Sequence, residues 1–176
     1  MPKTYRYLGP MNLAERAASL AGKLIASPAD VLQWIRDTKQ VLDFDGNVVA
    51  TFIVDDAGGL RIADRHSEHV RCASGLPVQS AGEMTFTIKA NDLSVTWVTN
   101  QSTGYCPEPE SWPAVAAALE AKIDAPSGFG HEFVFRRCIM CESINVVKER
   151  FFECCLCSTA LPLRWNLEST ASAKPN

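Results

Sequence analysis

Arg137–Trp165 reads RCIMCESINVVKERFFECCLCSTALPLRW. Two Cys-x-x-Cys pairs stand in it, Cys138/Cys141 and Cys154/Cys157, with twelve residues between them. A thiolate pair at that spacing grips a metal ion from a tight turn, a knuckle. Two such pairs supply the four soft ligands that tetrahedral Zn²⁺ prefers. Between the pairs, Ile144, Val146 and Val147 lead into the polar Lys148–Arg150, and Phe151 and Phe152 lead back, the pattern of a hairpin.

The segment resembles a zinc ribbon over residues 131–166, with Cys138, Cys141, Cys154 and Cys157 as the ligands of one Zn²⁺. Four protein thiolates leave no open position for water, so the ion is expected to be structural, standing in for an apolar core that so short a segment cannot build. Only Cys154 forms a Cys-x-x-Cys with Cys157, so Cys155 is read as a core residue or a spare thiol. Glycine often follows the second cysteine of a knuckle, because the turn there takes φ > 0. Glu142 holds that position, and the first knuckle is expected to be the less regular one.

Charge ranks the roles such a ribbon can have. From His131 to Trp165 there are five basic residues (Arg136, Arg137, Lys148, Arg150, Arg164) and four acidic ones (Glu132, Glu142, Glu149, Glu153). Four thiolates around one Zn²⁺ add about two negative charges. That is not the basic footprint of a nucleic-acid binder. A staple for the chain end comes first, a grip on another protein second, and nucleic acid last.

The rest of the chain agrees with a small intracellular protein. Its 176 residues suit one domain with an appendage, 47% of them are apolar, and the net charge is −3. Four of the seven cysteines belong to a metal pattern, which fits a reducing compartment and a cytoplasmic location. The opening MPKTYRYLGP has no apolar run behind its charges, so no signal peptide is expected, and no stretch is long enough to span a membrane.

Along the chain, Leu13, Ala17, Leu20 and Leu24 recur at helical spacing, predicting a helix over 12–26 capped by Asn12, with Gly22 a weak point. Ser27-Pro28-Ala29-Asp30 opens a second helix over 28–38, with Val31, Leu32, Trp34 and Ile35 on its apolar side. Periodicity then changes. Val41–Phe44, Asp45-Gly46-Asn47 and Val48–Val54 read as a hairpin, Leu60–Ala63 as a third strand, and Met84–Ile88 with Leu93–Val98 as a hairpin turning at Asn91-Asp92. Residues 41–99 thus form an antiparallel sheet of about five strands, with polar loops at 64–82 and 100–110. Ser111 and Pro113 open a helix over 112–123, and residues 125–130 read as a linker closing an α+β domain at 126. The polar residues 167–176 are expected to be a disordered tail.

The two loops carry the remaining chemistry. Arg65-His66-Ser67-Glu68-His69-Val70-Arg71-Cys72 holds two of the chain's three histidines, and the second loop carries Asn100, Ser102, Tyr105 and Cys106. Glu68 and His69 could do acid–base work with Ser67 or Cys106 as nucleophile and Tyr105 nearby, in a hydrolase or transferase. His66, His69, Cys72 and Cys106 could hold a second metal, although the pattern is not His-Glu-x-x-His. The preferred reading is structural, with hydrogen-bonded histidines and the two cysteines as small buried hydrophobes. Glu83 is read as an exposed charge where a strand begins, with a carboxylate that could reach the His66 loop.

RHSEHV, SAGEMTF, VTNQSTGYCPEPESWPAV and FVFRRC, followed by the ribbon, are similar to a group of uncharacterised bacterial proteins over residues 40–166. The resemblance implies a bacterial, intracellular setting and carries over no catalytic residue. The expectation is therefore an α+β protein: N-terminal helices, an antiparallel sheet of about five strands, one further helix and a C-terminal zinc ribbon. It is read as a binding module for another protein, in the manner of an immunity protein or antitoxin. An enzyme with its site between the His66–Cys72 and Asn100–Cys106 loops is the alternative.

Overall fold

β2 (Asn47–Asp55) runs through the middle of a five-stranded antiparallel sheet and is buried on both faces. The computed structural model describes residues 2–90, 92–120 and 122–167. Successive side chains of a strand point to opposite faces, so β2 feeds two cores. Val48, Ala50, Phe52 and Val54 point into the larger one, and Ile53 points into the other.

The sheet order is β1 (Lys23–Ile25), β3 (Leu60–Asp64), β2, β4 (Val78–Lys89), β5 (Asp92–Val98). β2 and β3 form a hairpin through Asp55–Gly59, where Gly58 takes φ +83°. β4 pairs β2 from Asn47↔Thr87 to Asp55↔Val78, and β5 pairs β4 with a bulge at Thr85/Phe86. α2 (Pro28–Asp37) covers the larger core with Val31, Trp34 and Ile35. It starts where expected, in a capping box, with the Asp30 carboxylate accepting from the Ser27 N–H at 2.9 Å. α4 (Trp112–Leu119) closes the same face with Val115, Ala118 and Leu119. Ser111 precedes it as expected, but its hydroxyl meets that of Ser80 at 3.0 Å rather than capping the helix.

Four expected elements differ, the shortest change being in α4, which ends at Leu119 rather than 123 because Glu120 leaves the helical conformation (φ −51°, ψ 134°). The first helix, α1, covers only Met11–Ala17, follows Pro10 rather than an Asn12 cap, and gives way to β1 (Lys23–Ile25). Gly22 lies beyond the helix, where the chain enters β1. Its N–H donates to the Cys72 carbonyl at 2.9 Å, and a Cβ there would collide with the Cys72 sulfur. The chain then pairs with β3 through Lys23↔Ile62, Leu24↔Arg61 and Ile25↔Leu60, which buries Ile25 and leaves Leu24 outside. Pairing to a sheet edge outweighs a modest helical propensity.

Val41–Phe44 is not a strand. The Asp43 carboxylate accepts from the N–H groups of Asp45 and Asn47 and folds the segment into a tight local loop. Gly46 takes the expected positive φ, but its carbonyl accepts from Ile88 of β4.

The polar loop expected at 64–82 is half structured. It contains α3 (His69–Cys72), and its last five residues are the first half of β4. Val78 and Ala81 fill the smaller core, Gln79 donates to the Asp56 carbonyl at 2.8 Å, and a Cβ on Gly82 would strike the Thr99 carbonyl oxygen. Glycine suits position 82 because the Thr99 backbone approaches it closely.

Residues 124–131 run along the outer edge of β5. Val95 donates to Asp124, Gly130 donates to Val98, and Phe129 packs edge-on against Trp112. The ribbon follows with β6 (Val134–Arg137) and β7 (Ile144–Val147). Leu167 is buried, while residues 168–176 and Asn91 of the expected turn lie outside the described residues.

Candidate metal centre

Each Cys-x-x-Cys pair forms the tip of its own hairpin. The first hairpin pairs β6 with β7 from Val134↔Val147 to Arg137↔Ile144, with Cys138–Ser143 as its loop. The second is shorter, with a Glu153↔Ala160 bridge and a Leu161 N–H bond to Phe152, around Cys154–Thr159. This corrects the expected pairing of 144–147 with 151–152, which survives only as the Lys148↔Phe151 bridge. The turn between them, Glu149-Arg150, has positive φ at both residues (51° and 61°), the backbone of a type I′ turn.

The two knuckles repeat one geometry. Cys138 N–H donates to the Ser143 carbonyl and Glu142 N–H to the Cys138 carbonyl. In the second, Cys154 N–H donates to Thr159 and Ser158 N–H to Cys154. Glu142 and Ser158 both turn left-handed, at φ 59° and 57°. The first knuckle is thus as regular as the second, although neither has glycine at the turn. An L-residue held there costs on the order of 1–2 kcal/mol.

The four sulfurs of Cys138, Cys141, Cys154 and Cys157 all lie within 4.8 Å of one another. Across the knuckles, Cys138 and Cys157 sulfurs are 3.5 Å apart, and Cys141 and Cys154 sulfurs 3.6 Å. A tetrahedron with metal–sulfur bonds of about 2.3 Å has edges of about 3.8 Å, and a disulfide would need about 2.05 Å. The quartet therefore fits one tetrahedral ion and can bind a metal.

Neighbouring groups favour the thiolate at Cys154 and Cys157. Cys154 is held down to about 5, first by the Ser143 hydroxyl and then by the Leu156 N–H. Cys157 is also lowered, first by the Thr159 hydroxyl, whose oxygen lies 3.3 Å from the sulfur. Cys138 goes the other way, up to about 11. A backbone bond with Cys141 favours its thiolate, but burial and the two adjacent sulfurs outweigh it. With a cation among them the competition for protons disappears.

Asn145 and Arg136 escaped the reading of the sequence. Asn145, buried on β7, donates to the Ser143 carbonyl at 3.0 Å, approaches the Cys154 sulfur at 3.6 Å and accepts from the Cys155 N–H at 3.0 Å. It ties one knuckle to the other. Its signal was a lone amide at an inward position among β-branched residues. Arg136, also buried, donates to the carbonyls of Pro162 and Leu163 at 3.0 and 2.8 Å and holds the returning chain. Cys155 is exposed rather than in the core, and its sulfur is outside the quartet.

Side-chain amides and one indole join the ribbon to the sheet. The fully buried Asn100 accepts from Phe133 N–H at 2.7 Å and donates to the carbonyls of Phe133 and Pro107, both at 2.8 Å. Trp165 donates to the Cys106 carbonyl at 2.9 Å and stands edge-on to Tyr5. Asn166 makes two bonds to the backbone of Arg137, covering the outer edge of β6.

The candidate loop residues go to several places. His66 is exposed, 3.1 Å from the Asp64 carboxylate. His69 donates its Nε2–H to the Gly82 carbonyl at 3.0 Å, and burial lowers its pKa against the opposing pull of the Glu83 and Glu68 charges. Glu68 is exposed. Glu83 sits inside β4 rather than at its start, with its carboxylate 3.8 Å from Arg65. Tyr105 is buried in the smaller core and donates to the Leu76 carbonyl at 2.9 Å. Cys106 packs under the ribbon with Phe135 and Leu167, and Cys72 packs beside Ala73 and Val70. Burial pushes both thiols up to about 12. His66, His69, Cys72 and Cys106 do not come together. Among the described residues, the sulfur quartet is the sole cluster of three or more potential metal ligands.

No family model, no curated protein and no solved structure matches this chain. None of the described helices is long and apolar enough to cross a membrane.

Proposed function

We propose that the quartet holds one Zn²⁺ as a structural ion and that the ribbon it fastens is a surface for binding another protein. The observation that carries this is the pairing of a closed four-sulfur site with apolar side chains displayed around it. Cys138, Cys141, Cys154 and Cys157 would fill the coordination of the ion, which would supply rigidity and no open position for chemistry. Ile139 and Met140 at one tip, Leu156 at the other, and Phe151 and Leu163 nearby are 67–74% exposed. Five large apolar side chains exposed on so small a unit support reading it as an interaction surface. A groove of about 820 Å³ alongside is lined by Val146 and Phe151 with Lys148 and Glu153.

Mixed charge on the ribbon favours a protein over nucleic acid as partner. Reduced thiolates suit a reducing compartment, which supports a cytoplasmic setting. The narrower role of an immunity protein or antitoxin has its support in the small size and net acidity of the chain.

Elemental analysis of natively purified protein tests the first half, with about one zinc per chain and a tetrahedral thiolate spectrum after cobalt substitution expected. The second half is tested with Met140→Glu/Leu156→Glu. The partner recovered with the wild-type chain should bind it directly when purified. The variant should keep its metal and lose that partner. Metal-free protein, or binding indifferent to both substitutions, would contradict the proposal.

A further inference from the structure

Leu13, Ala17 and Leu20 have the spacing of a helix stripe that ought to be core, yet only Ala17 is buried. Because α1 stops at Ala17 and the chain turns toward β1, Leu13 and Leu20 become the walls of a groove between α1 and α3, with Ala17 and Val70 as its floor. Its volume is about 330 Å³, at the lower end of the range for small-molecule sites.

Three charged side chains line it: Arg16, Arg71 and Glu68. The ion pairs among the described residues are Lys3–Glu108, Arg61–Asp55, Arg65–Glu83 and His66–Asp64, and none of the three takes part. Two arginines and one glutamate thus line an apolar floor, and no ion pair among the described residues joins them. An apolar ligand carrying both a carboxylate and an ammonium complements all of these features. Guanidinium matches carboxylate through paired hydrogen bonds, and carboxylate accepts from ammonium.

We infer that this groove binds an apolar α-amino acid, its carboxylate on Arg16 and Arg71, its ammonium on Glu68 and its side chain between Leu13 and Leu20. The ribbon has no part in this site, so metal content reports separately on the zinc reading. The neutral, apolar groove floor sets the side-chain class, and the volume admits a side chain of leucine or phenylalanine size.

The test is a titration of the isotope-labelled full-length protein, followed by amide NMR, with L-leucine, N-acetyl-L-leucine and L-leucinamide. Leucine should shift the amides of Leu13, Leu20, Val70 and Arg71 in a saturable way. Leucinamide, which lacks the carboxylate, and N-acetyl-leucine, which lacks the ammonium, should each bind about tenfold more weakly or worse. Arg71→Gln and Arg16→Gln, both at exposed positions, should reduce leucine affinity by a similar factor while melting temperature and zinc content stay unchanged. Absence of saturable shifts with leucine, equal binding of all three probes, or unaltered affinity in both variants would overturn the assignment.

Discussion

The sheet and the ribbon are held together by different means. Around the sheet, nineteen buried apolar residues form one continuous cluster, with Phe52, Ile62, Met84 and Phe86 among them. The ribbon's own cluster contains Cys138, Cys154 and Leu161, with Val147 and Phe152 packed partly against it. Apolar burial of the first kind contributes about 1.5–3 kcal/mol per large side chain. The second has too few such residues for a core, and its centre is made of sulfur. A short segment can hold a defined shape without an apolar interior when one ion connects its loops.

The comparison breaks most sharply at Cys138→Ser. Removing one of four thiolates should bring bound metal per chain from about one to near zero. Binding of structural zinc in small domains is worth about 10–16 kcal/mol near neutral pH. The ribbon has nothing of that size to replace it, while the sheet should keep its own unfolding transition in calorimetry. Phe52→Ala is the reciprocal change. It should lower the sheet's stability by about 3–5 kcal/mol in denaturant unfolding and leave the zinc content as it was.

Asn145→Ala sharpens the ribbon side. The amide bonds both knuckles, so its loss should weaken metal affinity by about 10–100-fold in competition with a chromogenic chelator, without removing the metal outright.

His69→Gln tests the sheet side through pH. Its folded pKa is depressed, chiefly by burial, so between that value and about 6.5 the unfolded chain binds the extra proton. Stability from this group is complete above about pH 6.5 and falls as pH drops toward the folded pKa. Glutamine can still donate to the Gly82 carbonyl but does not titrate. The variant's stability, followed by denaturant unfolding from pH 7.5 down to 5.5, should decline less steeply than the wild type's.

The parts legible in the sequence were those with a local physical signature. Two Cys-x-x-Cys pairs announce a quartet, and Ser27-Pro28 with Asp30 announces a helix start. What could not be read depended on distant neighbours. The first helix gives way early to a strand because the partners of Gly22 and of residues 23–25, Cys72 and β3, are remote in sequence. Gln79-Ser80 reads as loop because its partners Asp56 and Ser111 are remote in sequence. Nor does spacing reveal Asn145 or Asn100, because an amide that replaces a backbone strand looks like any other polar residue until the strand it bonds is in place. The bridging of residues 144–147 to β6 was missed for the same reason. The knuckle, not the polar turn at 148–150, is the tip of that hairpin.

Hydrogen exchange of the full-length protein, before and after removal of metal by a strong chelator, tests the central claim most directly. The account predicts that protection is lost across β6, β7 and both knuckles, within residues 133–166, while β2 and β4 exchange as slowly as before. Unchanged protection of the ribbon after complete metal removal, or its full protection in protein that never held metal, would contradict it.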